Sequence, residues 1–422
     1  MRAAEDAPAS GTRPRGGPLL VSGAMILALP LVAIQGPAHT TPMDPINLLF
    51  VVACWACVIV RREQLVFPLA LPFWLIMVGS LLGMYRADDP TRAVLTVTED
   101  VYLYLWFVTL AHFLSRRCRL DDVATVFVAV ACAVALLTYA DARMGLLGGR
   151  FAGTARATGT FENPNMFGDY LVDSFFITWA AAAGGRRFLY LALPVLLGGT
   201  LATHSNGALL SILGGTGVVV AASPVLWRPR HLGPLLIVAA VLIFAVGVWH
   251  DELAELAMAR FGGGREEVGG AALKGASERL PIWEDIAHDV VTTPTGVGPG
   301  NFKAGPSSNY LSAHNEYLGQ LVERSVIGLA GWCGIVVGLF AMLGRLRAAE
   351  AAAVRLPLAL RQLYGLAAAI GLHALVCELS HFRHFWLVVA IIAAAAAQAT
   401  ARLISNPVPV VAPGRLLLEE GA

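Results

Sequence analysis

The chain is dominated by apolar runs that are long enough to cross a lipid bilayer as helices. Such a helix needs about 20 predominantly apolar residues, and twelve stretches near that length occur in the 422 residues. With 57% hydrophobic and only 14% charged residues, the chain is too apolar for a soluble protein. The runs lie at 18–34, 45–60, 66–84, 100–114, 123–140, 166–183, 188–203, 207–226, 233–250, 317–343, 359–377 and 383–401.

The same runs determine the predicted fold class. Every backbone polar group inside a bilayer must be hydrogen-bonded within the protein, and the alternating pattern of a membrane barrel does not occur in this sequence. We therefore predict an all-α polytopic membrane protein of about twelve transmembrane helices. The lipid bilayer is the expected partner and no nucleic-acid partner is expected, although the formal net charge of +1 by itself says nothing about nucleic acid.

Short arginine-rich segments predict the orientation. If the N-terminus is cytoplasmic, these segments all fall on the inner side, as the positive-inside rule requires. Residues 1–17 and 402–422 are then cytoplasmic tails, and a large periplasmic loop at 251–316 separates the bundles 18–250 and 317–401. The inner arginines are Arg61, Arg62, Arg116, Arg117, Arg119, Arg186, Arg187, Arg228, Arg230, Arg345, Arg347, Arg355 and Arg361.

The other substantial outside connection, 141–165, carries three arginines on the disfavoured side of the membrane, Arg150 and Arg156 among them. Anion binding is the simplest local reason for such a cationic group. Arg156 precedes a turn in which Asn163 and Asn165 offer amides beside a helix start. It could hold a phosphate through a bidentate fork, or it could be a surface arginine beside a capping turn.

Two residues of the large loop are candidates for chemistry. His314 precedes an apolar helix, with Ser312 or Asn315 as its predicted cap. A histidine exchanges protons near pH 6.5 and suits a general base acting on a sugar hydroxyl, although an interfacial polar residue is the alternative. Arg279 lies in the same loop and could bind an anion or be an ordinary loop arginine.

The loop also contains a predicted helix and a predicted linker. The glycine-rich stretch 262–276 is typical of a flexible linker. A short helix is expected to follow, beginning near Ser277 or Pro281.

Two classes of function compete with catalysis by loop residues. A metal site is one, because Glu284 and His288 are one helical turn apart, as are His381 and His384. Neither pair has a third and fourth ligand at a recognisable spacing, so no metal is predicted. A transporter is the other, and the small number of ionisable residues in the spans argues against it.

Four stretches, taken together, resemble the O-antigen ligase and polymerase superfamily of bacterial envelope glycan enzymes. They are RATGTFENPNMFGDYL, ATHSNGALLSI, RLPIWEDIAHDVVTTPTGVGPGNF and SAHNEYLGQLVERSVIGLAGW. The resemblance covers about 156–332, and its most specific part is the segment from the arginine at 279 to the His-Asn pair at 314–315.

This resemblance implies a glycosyltransferase of the bacterial inner membrane that inverts configuration and uses neither metal nor cofactor. It would move a glycan from an undecaprenyl-diphosphate carrier to an acceptor on the outer side, such as a lipid A core or another carrier-linked glycan. His314 would be the catalytic base and Arg279 a diphosphate-binding residue. The implied substrate-binding residues are Arg156, Asn163, Asn165, Asn206 and Asn315.

The sequence departs from the family pattern at two positions. Asn206 stands where the family often has a second diphosphate arginine, so Arg150, Arg156 or Arg383 would have to supply that charge. Ser325 replaces a usual glycine after the His-Asn pair, which is expected to matter less because Gly328 is kept. The departures leave open a flippase for a lipid-linked sugar and a non-catalytic scaffold.

Overall fold

The described part of the chain is built of helices. The computed structural model describes residues 43–146, 148–149, 151, 156–161, 163–222, 270–303 and 312–405, with single residues at 23, 26, 30 and 41; the side chains of 270–280 lie outside this description. No strand occurs among these residues. The α-helices are α1 Met43–Arg61, α2 Ala70–Met84, α3 Pro90–Arg117, α4 Leu120–Met144, α5 Pro164–Ala183, α6 Leu193–Ala202, α7 Asn206–Ala221, α8 Gly270–Thr292, α9 Glu316–Ala351, α10 Leu360–His373 and α11 Arg383–Ser405, and a 3-10 helix, Arg187–Ala192, precedes α6.

Five of these helices, α1, α3, α4, α9 and α11, are long and apolar enough to cross a membrane. The all-helical membrane architecture is therefore confirmed. The count of twelve spans and the periplasmic position of the large loop remain predictions. Of the predicted span 18–34 only residues 23, 26 and 30 are described, and 233–250 lies outside the described residues.

α8 begins earlier than the sequence pattern indicates. The helix already includes Gly270, and Pro281 lies inside it, so the predicted start near Ser277 or Pro281 is wrong. The stretch after Gly270 contains Ala271, Ala272 and Leu273, and alanine and leucine are among the strongest helix formers. Their propensity outweighs the neighbouring glycines.

α11 lies at the centre of the bundle, because its residues are buried continuously from His384 to Ala396. Around it, helix pairs approach closely at glycines. A Cβ atom added to Gly215 of α7 would lie 2.5 Å from the carbonyl oxygen of Gly365 in α10, and one added to Gly331 of α9 would lie 2.7 Å from a carbonyl of α2. Small residues at such crossings are the usual way in which membrane helices gain packing contacts.

Helix starts are capped by side chains at one end of the bundle. Asn163 accepts a hydrogen bond from the third residue after it and caps α5, and Ser205 caps α7 in the same way. Asn315, one of the two predicted candidates, caps α9 through the amide of Leu318 at 3.1 Å. These caps satisfy N–H groups that the first helical turn leaves unpaired.

α9 is broken at Arg324 and Ser325. Arg324 has φ −129° and ψ 17°, and Ser325 has φ 62° and ψ −175°. The conformation of Ser325 is one that residues other than glycine rarely adopt. Ser325 is also the position where the resemblance implies a glycine, which adopts this conformation without strain.

The loop after α8 pairs with the backbone that the break leaves open. The amide of Val297 donates to the carbonyl of Val322 at 2.9 Å, and the amide of Gly298 donates to the carbonyl of Glu323 at 3.1 Å. α2 also packs closely against this backbone, because a Cβ atom added to Gly83 would lie only 2.4 Å from the same Glu323 carbonyl oxygen. Irregular backbone is tolerated in a membrane bundle where protein groups satisfy and enclose it in this way.

A buried ion pair lies at the same break. Arg324 and Asp100 of α3 are 2.7 Å apart, and both are almost completely buried. With Asp169 and Asp173 also buried in α5, the helices contain more buried ionisable groups than the sequence analysis expected. The partners of Asp100 and Asp169, namely Arg324 and His384, lie far away in sequence, so single spans did not reveal these pairs.

We predict that Ser325→Gly stabilises the protein. Glycine relieves a backbone strain of about 1–3 kcal/mol, which exceeds its own entropic cost of about 0.5–1 kcal/mol. The measurement is the thermal unfolding midpoint in detergent. Ser325→Ala is the control, since it keeps the Cβ atom and removes the hydroxyl that accepts from the amide of Ile327; a Ser325→Gly midpoint at or below that of the alanine variant contradicts the prediction.

Candidate active site

A large open cavity of about 1130 Å³ lies beside the starts of α1 and α9, the N-terminal part of α3 and the connection 374–382 between α10 and α11. A second cavity, of about 1050 Å³, lies near the opposite end of α3 and is lined by Arg116, Arg345 and Arg402, so it is far from the predicted catalytic residues. The ionisable residues of the first cavity are Asp44, Asp89, Arg92, Glu99, Glu316, Glu323, Arg324, Glu378, His381 and Arg383.

Glu316, the first residue of α9, joins this helix to the 374–382 connection. Its side chain is buried, with 1% of the residue exposed. One carboxylate oxygen accepts from the amides of Leu379, at 2.5 Å, and Ser380, at 3.0 Å; the other accepts from the Gln320 side chain at 2.8 Å. A buried carboxylate is stable here because amide hydrogen bonds replace its water.

Glu378 in the same connection is held against the segment before α9. Its Oε1 atom accepts from the amide of Ala313 at 2.8 Å. Burial raises the pKa of Glu378 from 4.5 to about 7, the nearby carboxylates Glu323 and Glu316 add to the rise, and His381 opposes it. A carboxyl group with this pKa exchanges its proton near neutral pH.

His381 adds a basic group to the cavity. Its Nδ1 atom lies 3.9 Å from Glu99 Oε2 and 3.9 Å from Asp100 Oδ1. Burial lowers the pKa of His381 and Arg324 lowers it further, but the carboxylates outweigh both, so the pKa is raised above its usual 6.5. The two carboxylates therefore stabilise the charged form of the imidazole relative to its neutral form.

The predicted base His314 is exposed and adjoins the cavity lining. Its backbone has φ 49°, its amide donates to Ser312 Oγ at 3.1 Å, and its Nδ1 atom lies 3.5 Å from the same oxygen. Ser312 lines the cavity, as does Glu316 two residues further on. Asn315, predicted to bind substrate, caps α9.

Arg279 lies in α8, and its side chain is outside the described residues. α8 packs directly on the segment before His314, because Trp283 Nε1 donates to the carbonyl of Ala313 at 3.3 Å and Ile286 joins an apolar cluster with Ala313. Arg279 is one helical turn before Trp283. The helix that carries the predicted arginine is thus attached to the segment that carries the predicted base.

The remaining predicted residues lie together at the starts of α5 and α7. Arg156 donates to the carbonyl of Thr203 at 3.0 Å and to Asn165 Oδ1 at 2.8 Å. Asn163 caps α5, and Asn206 is the first residue of α7. The guanidinium of Arg156 therefore ties the 156–165 turn to the residues immediately before α7.

The connection 374–382 contacts both groups of predicted residues, the one at the start of α7 and the one at the start of α9. On one side, a Cβ atom at Gly207 would lie 2.6 Å from Val376 Cγ2. On the other side, the amide of Glu316 donates to the carbonyl of Ala374 at 2.8 Å. Sequence reasoning missed this connection as a functional element; the signal available was the polar string ELSH between two apolar runs.

Three arginines were expected to supply the positive charge that is absent at Asn206, namely Arg150, Arg156 and Arg383. Arg383 lines the cavity but forms an ion pair with Asp44 through Nε and NH2, at 2.8–3.0 Å. Arg156 lies near Asn206, because it donates to the carbonyl of Thr203 just before α7 and to Asn165 Oδ1. Arg150 lies outside the described residues.

The structure places the two residue pairs that were considered as metal ligands in different surroundings. Glu284 and His288 are both exposed on α8. His381 faces the cavity, whereas His384 is buried and lies 2.9 Å from Asp169. Among the described residues, metal-ligating atoms converge deeper in the bundle, at Asp169, Asp173 and His384.

We predict that Glu378 makes stability depend on pH. The folded state holds the Glu378 proton more tightly than the unfolded chain does, so this contribution is complete below pH 4.5 and is lost as the pH rises to about 7. Glu378→Gln is neutral throughout and should flatten the fall of the thermal midpoint across this window. Glu284→Gln, a change at an exposed carboxyl, is the control and should keep the wild-type profile. An unchanged slope in Glu378→Gln would show that another group is responsible.

Comparison with known proteins finds a similarity over part of the chain. Residues 191–333 match the family model described as O-Antigen ligase. The matched range runs from the helix before Asn206, through Arg279, to the part of α9 beyond His314. The match confirms the resemblance to the O-antigen ligase and polymerase superfamily. No curated protein matches the chain.

Proposed function

We propose that this membrane protein, whose residues 191–333 match the O-Antigen ligase model, is an inner-membrane glycosyltransferase that takes its glycan from undecaprenyl diphosphate. The observation that carries the proposal is the position of His314, which lies within the matched region and adjoins a charged cavity at the ends of apolar helices. A lipid carrier can remain among the helices while its headgroup enters the cavity. The acceptor would approach from the periplasm.

In the proposed reaction His314 takes the proton of the acceptor hydroxyl. The acceptor oxygen then bonds to the anomeric carbon as the bond from that carbon to the diphosphate breaks, which inverts the configuration. Negative charge grows on the leaving diphosphate, and Arg279 and Arg156 are the residues proposed to stabilise it. Neither a metal nor a cofactor takes part in these steps.

The cavity offers a further cation in place of the arginine that Asn206 replaces. His381 is favoured in its protonated form by Glu99 and Asp100. It lies on the connection that contacts the start of α7 beside Asn206. We propose that His381 contributes positive charge toward the diphosphate, in addition to Arg156.

The acceptor distinguishes the two enzymes of this superfamily. A ligase transfers the glycan to a lipid A core or a similar acceptor, whereas a polymerase transfers it to another carrier-linked glycan. Both need the same base and the same diphosphate contacts, so the two are separated by supplying each acceptor in turn.

We predict that His314→Ala abolishes transfer but keeps donor binding. Loss of a general base typically costs about 10²–10⁴-fold in rate. The measurement is glycan transfer by the purified protein in lipid vesicles with undecaprenyl-diphosphate glycan, each acceptor and a chelator. His288→Ala, which removes an exposed histidine of α8, is the matched control. Donor binding without transfer by the wild type, with any acceptor, would instead support a flippase or a scaffold.

We predict that Arg279→Lys loses most activity although its charge is kept. A lysine ammonium cannot reproduce the planar fork that binds two phosphate oxygens, and losing one such contact costs roughly 100-fold in turnover. The same vesicle assay measures this. Arg355→Lys, at an exposed arginine near the end of α9, should behave as the wild type. Near-wild-type turnover of Arg279→Lys would contradict a direct contact with the diphosphate.

A further inference from the structure

Four ionisable side chains form a buried cluster outside the candidate cavity. Asp169 and Asp173 are one turn apart on α5, His373 is the last residue of α10, and His384 is the second residue of α11. All four are at most 2% exposed. Ionisable groups at such positions in a membrane bundle are expensive to bury and usually have a function.

Asp169 is the centre of the cluster. His384 Nε2 lies 2.9 Å from Asp169 Oδ2, and His373 Nδ1 lies 3.1 Å from Asp169 Oδ1. One donor atom each from Asp169, Asp173 and His384 lies within 4.8 Å of the others. The three side chains therefore converge on a single small volume.

Asp173 provides an independent indication that this volume holds a ligand. Within the described part of the chain, neither of its carboxylate oxygens has a hydrogen-bond partner, although the residue is 1% exposed. A buried carboxylate is normally paired or bound to a metal. Asp173 instead lies close to another carboxylate, Asp169, and none of the described groups donates a hydrogen bond to it.

Aromatic rings enclose the cluster. Phe161, Tyr170 and Phe382 contact the His384 ring, with centroids 5.9, 5.8 and 5.2 Å away. These rings exclude water and hold the imidazole in one orientation. An apolar shell of this kind is typical around metal ligands.

We propose that Asp169, Asp173 and His384 bind one divalent transition-metal ion, with zinc as the best fit. Imidazole nitrogen with carboxylate oxygen suits zinc and its neighbours, whereas magnesium and calcium prefer oxygen alone. Two ligand atoms that each lie about 2.1 Å from zinc are at most about 4.2 Å apart. The widest separation that the cluster allows, 4.8 Å, therefore has to close by only a fraction of an ångström.

The ion would stabilise the connection 374–382. His384 follows this connection and binds the ion, while His373 precedes it and supports the ligand Asp169, as carboxylate–histidine pairs do around metals. Both ends of the connection that carries Glu378 and His381 are thus tied to α5. The role is structural, and no step of the proposed glycan transfer uses the ion.

The test is metal binding by the full-length, untagged chain purified in detergent. After removal of metal with a chelator, the wild type is titrated with Co²⁺ and then with Zn²⁺. We expect one Co²⁺ per chain with visible ligand-field absorption, displacement by Zn²⁺, and a higher thermal midpoint with Zn²⁺. Asp173→Asn and His384→Gln should each weaken Co²⁺ binding at least tenfold.

His112→Gln is the matched control. His112 Nε2 pairs with a carboxylate, Glu63, at 2.9 Å, away from the cluster, so this variant should bind Co²⁺ as the wild type does. Absence of bound Co²⁺ and Zn²⁺ in the wild type would overturn the proposal, as would wild-type affinity in Asp173→Asn. If a variant fails to fold, the wild-type spectrum and metal content still decide the matter.

Discussion

The break of α9 at Arg324 and Ser325 is the feature on which the candidate site depends. An unbroken helix would keep the carbonyls of Val322 and Glu323 in its own ladder, and the loop after α8 would lose both backbone partners. Through that loop α8 is held beside the start of α9. The buried pair of Arg324 with Asp100 stabilises the break against α3, because removing either partner would leave an uncompensated charge in a low dielectric.

The start of α9 and the connection 374–382 position each other. Glu316 binds two amides of the connection, and Glu378 in the connection binds the amide of Ala313 just before His314. Each carboxylate thus supports the other segment, so the cavity wall is a reciprocal set of hydrogen bonds. The two carboxylates also interact electrostatically, since Glu316 adds to the raised pKa of Glu378.

The apolar runs predicted the helices well, because a membrane segment of this length has few alternatives to a helix. Caps such as Asn315 were predictable from local residue types. The pairs Arg324–Asp100 and His384–Asp169 were not, since their members are 224 and 215 residues apart in sequence, and a helical pattern does not show which helices become neighbours. The strained backbone of Ser325 was not predictable either, because residue type alone does not show a positive φ at a serine.

The proposed glycan transfer and the proposed metal site both involve the connection 374–382, on its two different sides. The side toward His314 is the one proposed to face the headgroup of a lipid, and there burial and neighbouring carboxylates raise the pKa of Glu378 to about 7. The side toward α5 is dry, and there two histidines converge on one aspartate. Because the buried cluster would fix both ends of the connection to α5, Glu378 and His381 would be held in position at the cavity without using cavity residues for that purpose.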